Sequence, residues 1–197
     1  MAMRMKVRKS WAVLAAAIAA TGCVPASQGP DTVVEPRSFS GDAPRGSALL
    51  RSAMVEGHNR ARQDVGMAPL RWDQTLAADA QRYADELART GRYRHSEAQT
   101  RGNEPEGENL FRGTRGAYRY SEMVQLWIDE KRYFKRGITP DFSTTGNWRD
   151  VSHYTQIVWW NTRRFGCGFA SSRTSDYLVC RYAPPGNVVG EDVFGGR

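Results

Sequence analysis

The chain has 197 residues, of which 28 are Lys or Arg and 21 Asp or Glu, for a formal net charge of +7. Four of the positive charges, Arg4, Lys6, Arg8 and Lys9, fall in the first nine residues, so the charge of the remainder is +3. With no basic run interleaved with aromatics in that remainder, a nucleic-acid partner is excluded, and no internal repeat, second domain or transmembrane segment is apparent.

Residues 1–22 read as an export signal. The four basic residues form its n-region, residues 11–20 an apolar core too short to span a bilayer as a mature helix, and Ala20, Thr21 and Gly22 a small-residue cleavage site. Cys23 follows at once. Residues 19–23 resemble a bacterial lipobox, whose cysteine becomes the acylated N-terminus, although Ala20 stands where leucine is commoner. The expectation is a membrane-anchored lipoprotein held through acylated Cys23 and facing the periplasm or exterior; the alternative is an ordinary secretory signal and a soluble secreted product. Val24, in the absence of an aspartate there, favours the outer membrane where the host sorts lipoproteins in the enterobacterial manner.

Residues 24–46 hold four of the nine prolines and three glycines without a sustained period. Residues 23–46 therefore read as a flexible tether, of end-to-end distance roughly 25–30 Å. Residues 47–197 suit one domain, able to bury ~70% of its unfolded-chain surface.

Within it, Leu50, Met54, His58, Ala61 and Val65 lie on one helical stripe over residues 49–65, ended by Gly66. Asp73 caps a second helix with the stripe Leu76, Ala80, Tyr83, Ala84 and Leu87, and Gly91 lies just past its end. Ser121 is expected to cap a third helix reaching about Phe134, with Met123, Trp127, Glu130 and Phe134 on one side. Residues 155–160, 165–170 and 177–182 read as strands, with Trp159 and Trp160 on opposite faces, one in the core and one nearer the surface. Helices precede most strands, so a segregated α+β fold fits better than a parallel sheet.

Three cysteines is an odd count for an exported chain. Cys167 and Cys180 are equidistant from the centre of a hairpin turning between Arg173 and Thr174, so a cross-strand disulfide is expected, worth about 3 kcal/mol by loop-closure entropy. Cys23 is then left over, as lipidation requires.

Four segments each contribute one side chain of a type that binds metals or moves protons: His95-Ser96, Gly107-Glu108-Asn109-Leu110, Trp127-Ile128-Asp129-Glu130, and the run from Ser152-His153 to Thr162. Two more stand out: His58-Asn59-Arg60-Ala61-Arg62, and the stretch from Tyr177 through Cys180 to Val188. Together and in this order they resemble the CAP family (cysteine-rich secretory, antigen 5 and pathogenesis-related 1 proteins; SCP domain) over about residues 48–190. Ser152 departs from the glycine or charged residue usual before the histidine.

The resemblance implies a three-layered α-β-α sandwich with a central, mostly antiparallel sheet. It also implies a cavity tetrad of His95, Glu108, Glu130 and His153. Neutral imidazoles suit zinc, and a carboxylate can ligate it or orient a histidine. In the family the two histidines are the ligands where metal is seen, so the resemblance implies His95 and His153 as ligands of a Zn2+ ion, with Glu108 and Glu130 orienting them. The alternative is a tetrad that only closes a polar core. His58, Asn59 and Arg62 belong to the packing of the first helix, Arg62 satisfying buried carbonyls or a carboxylate.

No G-x-S-x-G elbow, S-x-x-K or H-E-x-x-H is present. Members of the family bind lipids and sterol-like molecules, so the resemblance, with no convincing catalytic set beside it, implies as the leading expectation a non-enzymatic binding module for a lipid or another cell-envelope ligand, metal-dependent or not. A metal-dependent envelope hydrolase using Glu108 and Glu130 is the second reading. The third is a protein-interaction module acting through residues 137–149, its tetrad holding the fold.

Overall fold

The computed structural model describes residues 39–97, 100–101 and 104–196. The leader, Cys23 and most of the expected tether lie outside them. The described residues fall in one compact unit with its own core, as a domain does. In chain order the described elements are α1 (Ser47–Asp64), β1 (Arg71–Trp72), α2 (Gln74–Thr90), β2 (Thr100–Arg101), β3 (Glu104–Pro105), β4 (Gly107–Thr114), α3 (Tyr120–Asp129), α4 (Ser152–Val158), β5 (Arg164–Ser171) and β6 (Ser175–Ala183), with 3-10 turns at Glu130–Tyr133 and Trp148–Val151.

The central sheet runs β1-β5-β6-β4, with β1 parallel to β5 and the other pairs antiparallel. Strand β6 is buried along its whole length because both of its faces are covered. Leu178, Cys180 and Tyr182 point into the core built with α1, α3 and α4, whereas Tyr177 and Val179 meet Ala80, Ala84 and Leu87 of α2 on the opposite face. This is the α-β-α sandwich. Gly166 and Gly168 let α2 lie directly on β5: a Cβ at either would collide with the main chain of Ala77 or Gln81. The register sets Cys167 opposite Cys180, and the disulfide joins them.

The second helix begins and ends as its sequence suggests. Asp73 accepts the N–H groups of Thr75 (2.8 Å) and Leu76 (3.1 Å), and Gly91 closes the helix with φ 70°. Elsewhere the chain departs from expectation. Residues 155–160 are not a strand. They belong largely to helix α4, whose first N–H groups, from His153 and Tyr154, are accepted by the Glu130 carboxylate at 3.0 and 3.2 Å. Asn187 also braces that turn, donating to the Ser152 carbonyl (2.9 Å) and accepting from the Thr155 hydroxyl (2.7 Å). Trp159 is fully buried and Trp160 only partly so.

The third helix starts at Tyr120 rather than after a Ser121 cap, because the Glu122 carboxylate reaches back to the Arg119 N–H at 2.6 Å. It stops at Asp129, and Glu130 opens a 3-10 turn. The last residues of the expected tether are fastened to the domain. Ala43 is buried and bonds Gly116, while Arg45 pairs with the buried Asp176 at 2.6 Å and lies over the Phe169 ring at 4.8 Å.

A polar relay crosses the core between the helices and the sheet. His58 Nδ1 stands 2.8 Å from the Met54 carbonyl and Nε2 2.8 Å from the Tyr182 hydroxyl, which also accepts from the Asn109 amide at 3.1 Å. Because a carbonyl only accepts, Nδ1 carries the proton and Nε2 accepts the one from Tyr182. The remaining bond of the Asn109 amide goes to the His153 carbonyl at 3.1 Å. Burial drives the His58 pKa down to about 3, the Met54 bond opposing and the Arg62 charge reinforcing the shift. Below its ordinary pKa of 6.5 the unfolded chain therefore takes up a proton that the folded chain refuses. This contribution to stability is complete above pH 6.5 and is lost as pH falls from 6.5 toward 3. Urea unfolding at pH 7 and pH 5 is expected to differ by about 2 kcal/mol more in the wild type than in His58→Asn. Equal pH dependence in the two proteins would refute it.

Candidate functional site

Glu108 occupies the second position of β4, directly across from Arg181 on β6. Its carboxylate is buried and makes contacts on three sides. Oε1 accepts from His95 Nδ1 at 2.6 Å and from the Ser96 N–H at 3.1 Å. Oε2 lies 3.1 Å from an Arg181 NH2 nitrogen, an ion pair in distance but not aligned as a hydrogen bond. Arg181 also faces the buried Glu106 at 3.9 Å and stacks over the Tyr83 ring at 5.4 Å. The Tyr83 hydroxyl in turn donates to the Arg94 carbonyl at 2.6 Å, which fixes the loop presenting His95. Burial first, then the Glu108 and Glu86 carboxylates, push the Tyr83 pKa up to about 12.

The second pair is built differently. Glu130 accepts from His153 Nδ1 at 2.6 Å while its other oxygen caps α4, and the His153 ring stacks on Trp127 at 5.7 Å. The two pairs meet electrostatically at Tyr93. Burial raises its pKa, Arg112 lowers it, and both Glu108 and Glu130 raise it further. In each pair the acceptor-only carboxylate puts the imidazole proton on Nδ1, so Nε2 is the nitrogen left to bind something else. The His95 side chain is 59% exposed and that of His153 22%. No group of three or more His, Cys, Asp or Glu side chains converges to hold a metal ion among the described residues. Two carboxylate-oriented imidazoles are in number one short of the three protein ligands of a catalytic zinc.

The residues of the first helix sit apart from these pairs. Arg62 donates from Nε to the Ala68 carbonyl (2.6 Å) and from NH1 to those of Ile157 and Trp159 (both 2.9 Å). Asn59 pairs with both main-chain groups of Leu70, at 2.8 and 3.2 Å. Glu106 and Tyr93 carry no motif that would single them out, and Arg181 and Tyr83, though inside the C-terminal stretch and on the second helix's stripe, carry no sign of a place beside Glu108. Only the cross-strand partnership of Glu108 with Arg181 has a trace in the sequence, and it requires the register.

A groove of about 920 Å³ lies away from both pairs, between α1 and α2. Leu50, Val55, Trp72 and Ala77 line it with Arg51, and Cys167 contributes to its lining. The Arg51 guanidinium stands 5.8 Å from the Trp72 ring centroid.

The Cysteine-rich secretory protein family, CAP, matches residues 55–182. Pathogenesis-related protein 1B of Nicotiana tabacum is 38% identical over 141 residues, 71% of this chain and 78% of that one. Pathogenesis-related protein 1 of Arabidopsis thaliana is 36% identical over 141 residues, 71% of this chain and 80% of its own. Among solved structures, that of NaASP2 with Zn2+ superposes with a TM-score of 0.62 and 25% identity, covering 77% of this chain and 88% of that chain. An outer surface protein from Borrelia burgdorferi shares the fold with a TM-score of 0.51 and 14% identity, over 75% of this chain and all of its own. The order of motifs, the sandwich and these likenesses agree, and the chain belongs to the CAP family.

Proposed function

We propose that the chain is an exported, non-enzymatic binding module that takes an apolar ligand of the cell envelope, a lipid in the first instance. The observation that carries this reading is the groove of about 920 Å³ between α1 and α2, within the usual size of ligand pockets and walled by Leu50, Val55, Trp72 and Ala77. Ser52 and Ala78 are exposed on its two walls. Lipid extracted from the purified protein and identified by mass spectrometry is expected at near-stoichiometric amounts, and Ser52→Trp/Ala78→Trp is expected to remove it while the fold is kept. Protein that carries no enriched lipid would sink the proposal.

Two acids and two imidazoles include no nucleophile with a partnered base, which supports binding over covalent catalysis. His95 and His153 are the proposed zinc ligands through Nε2, Glu108 and Glu130 holding each ring, with the rest of the coordination coming from solvent or ligand. Support comes from the Nδ1–carboxylate distance of 2.6 Å in both pairs. Calorimetric titration is expected to find zinc binding in the wild type and none in a folded His95→Ala/His153→Ala variant. Equal affinity in both would remove the idea.

Export and anchoring complete the reading. The Cys167–Cys180 disulfide supports an oxidising compartment. No helix of the described residues is long and apolar enough to cross a membrane, and attachment through acylated Cys23, in the outer membrane by the Val24 signal, is the proposed anchor. Fatty-acid labelling in the bacterial cell is expected in the wild type and absent in Cys23→Ser; labelling in both, or in neither, would count against it.

A further inference from the structure

Five large apolar side chains are exposed among the described residues: Leu49, Tyr133, Ile138, Val188 and Val189. Single exposed apolar residues scattered over a surface are ordinary, but a converging group needs a reason. Four of these five fall on two segments bonded to each other. The Thr139 N–H donates to the Glu191 carbonyl at 2.9 Å, the Gly190 N–H to the Thr139 carbonyl at 3.0 Å, and Ile138 pairs with Asp192 in a β-bridge. Val189, at the tip of the second segment, is 79% exposed, and Ile138 51%.

The same face is rich in exposed cations. Lys131, Arg132, Lys135 and Arg136 are all exposed within six residues. The chain has four lysines, Lys6, Lys9, Lys131 and Lys135, so the two outside the leader are both here. Of the acidic groups nearby, Asp141 is exposed but paired with Lys135 at 2.6 Å, Asp192 is turned to the N–H groups of Phe194 and Gly196, and Glu191 is exposed. Aromatic rings lie under the guanidinium groups, Tyr133 beneath Arg132 at 4.9 Å and Phe194 beneath Arg136 at 5.5 Å.

We propose that this face docks on an anionic lipid bilayer, with Ile138, Val188 and Val189 entering the headgroup–acyl boundary and Lys131, Arg132 and Arg136 meeting lipid phosphates. Apolar tips ringed by long cationic side chains are the composition of interfacial anchors, since the stems cover apolar surface while the charges stay in water. Each cation close to a negatively charged leaflet contributes attraction, and the sum is screened by salt.

Both segments are also tied to the first turn of α4. Glu130, next to Lys131, caps that turn and holds the His153 ring, and Asn187, next to Val188, bonds Ser152 and Thr155. Docking on this face therefore sets the Glu130–His153 pair beside the bilayer. The surface is independent of the groove and of the cysteine anchor, and its failure would leave both standing.

Sedimentation of the chain from Val24 onward, which lacks the acyl anchor, with vesicles of phosphatidylcholine alone or mixed with phosphatidylglycerol tests the proposal. Binding is expected only with phosphatidylglycerol, weakened about fivefold for each of Lys131→Ala and Arg132→Ala and abolished by Ile138→Asp/Val189→Asp. Leu49→Asp, at an exposed apolar site elsewhere, and the groove-filling Ser52→Trp/Ala78→Trp are expected to bind as the wild type does. Equal binding to both vesicles, no binding, or an unchanged Ile138→Asp/Val189→Asp would overturn it. So would loss of binding in the groove variant, because vesicle association would then run through the groove.

Discussion

The relay from Met54 through His58, Tyr182 and Asn109 to the His153 carbonyl is the constraint on which the rest of the structure depends. It has one consistent arrangement of protons, since each member can donate only in the direction its neighbour leaves open. In a dry core such a chain stabilises when complete, and each broken link leaves a buried polar group unsatisfied. It joins α1, β6, β4 and α4, and so fixes the register of β4. Asn109 and Glu108 are neighbours on that strand and face opposite sides of the sheet. A slip of one residue would turn Glu108 into the relay and Asn109 toward Arg181. The position that completes the core is therefore the same one that brings Glu108 to His95.

Much of the fold was legible in the sequence where the signal was local. The Asp73 cap, the Gly91 stop, the stripe of the second helix and the equidistance of Cys167 and Cys180 all depend on short-range chemistry, and the structure carries each of them. Helix α4 was not legible. Thr155, Ile157, Val158 and Trp159 have strand preferences, and a seven-residue helix has little propensity of its own to oppose them. What holds it is a carboxylate 23 residues earlier and an amide 32 to 35 residues later, partners a local reading does not see. Strand β4 fails for the complementary reason: Glu108 and Asn109 are buried polar residues inside it and break the apolar pattern. The two His–Glu pairs were readable only through the family motifs, and the partnership of Glu108 with Arg181 only after the register was known.

The groove is a product of topology rather than of any motif. Strand β1 pairs with β5 only at Arg164 and Phe165, after which the chain turns into α2. Beyond that point the edge of β5 has no strand beside it among the described residues, and α1 and α2 flank the gap. At Phe169 the Gln81 amide takes both main-chain groups of the edge, at 2.9 and 3.0 Å, as a neighbouring strand would. This protects the edge from pairing with another chain. Cys167 lies between these two closures and lines the groove, with the disulfide holding it to β6. A ligand there would replace water against apolar side chains without competing for the ladder at Phe169.

The two His–Glu pairs look alike in their shared 2.6 Å contact but differ in what compensates each charge. Glu108 faces a guanidinium in a buried pocket, and Glu130 faces the N–H groups of a helix start. Each carboxylate is already engaged before its imidazole is counted, so its main effect is to aim a ring rather than to act as a free base. Aimed rings lose little freedom when Nε2 binds, which favours capture of a metal or polar ligand over proton shuttling. The mobility of the two rings must differ as well. His95 is the more exposed ring, on a loop held by the Tyr83 bond and by the Ser96 N–H to Glu108, while His153 is clamped by Trp127, Glu130 and the helix itself. A ligand joining the pairs would find one donor fixed and the other able to adjust. The fixed one is on the helix to which the exposed apolar face is bonded, so events at that face reach His153 directly and His95 only through the rest of the fold.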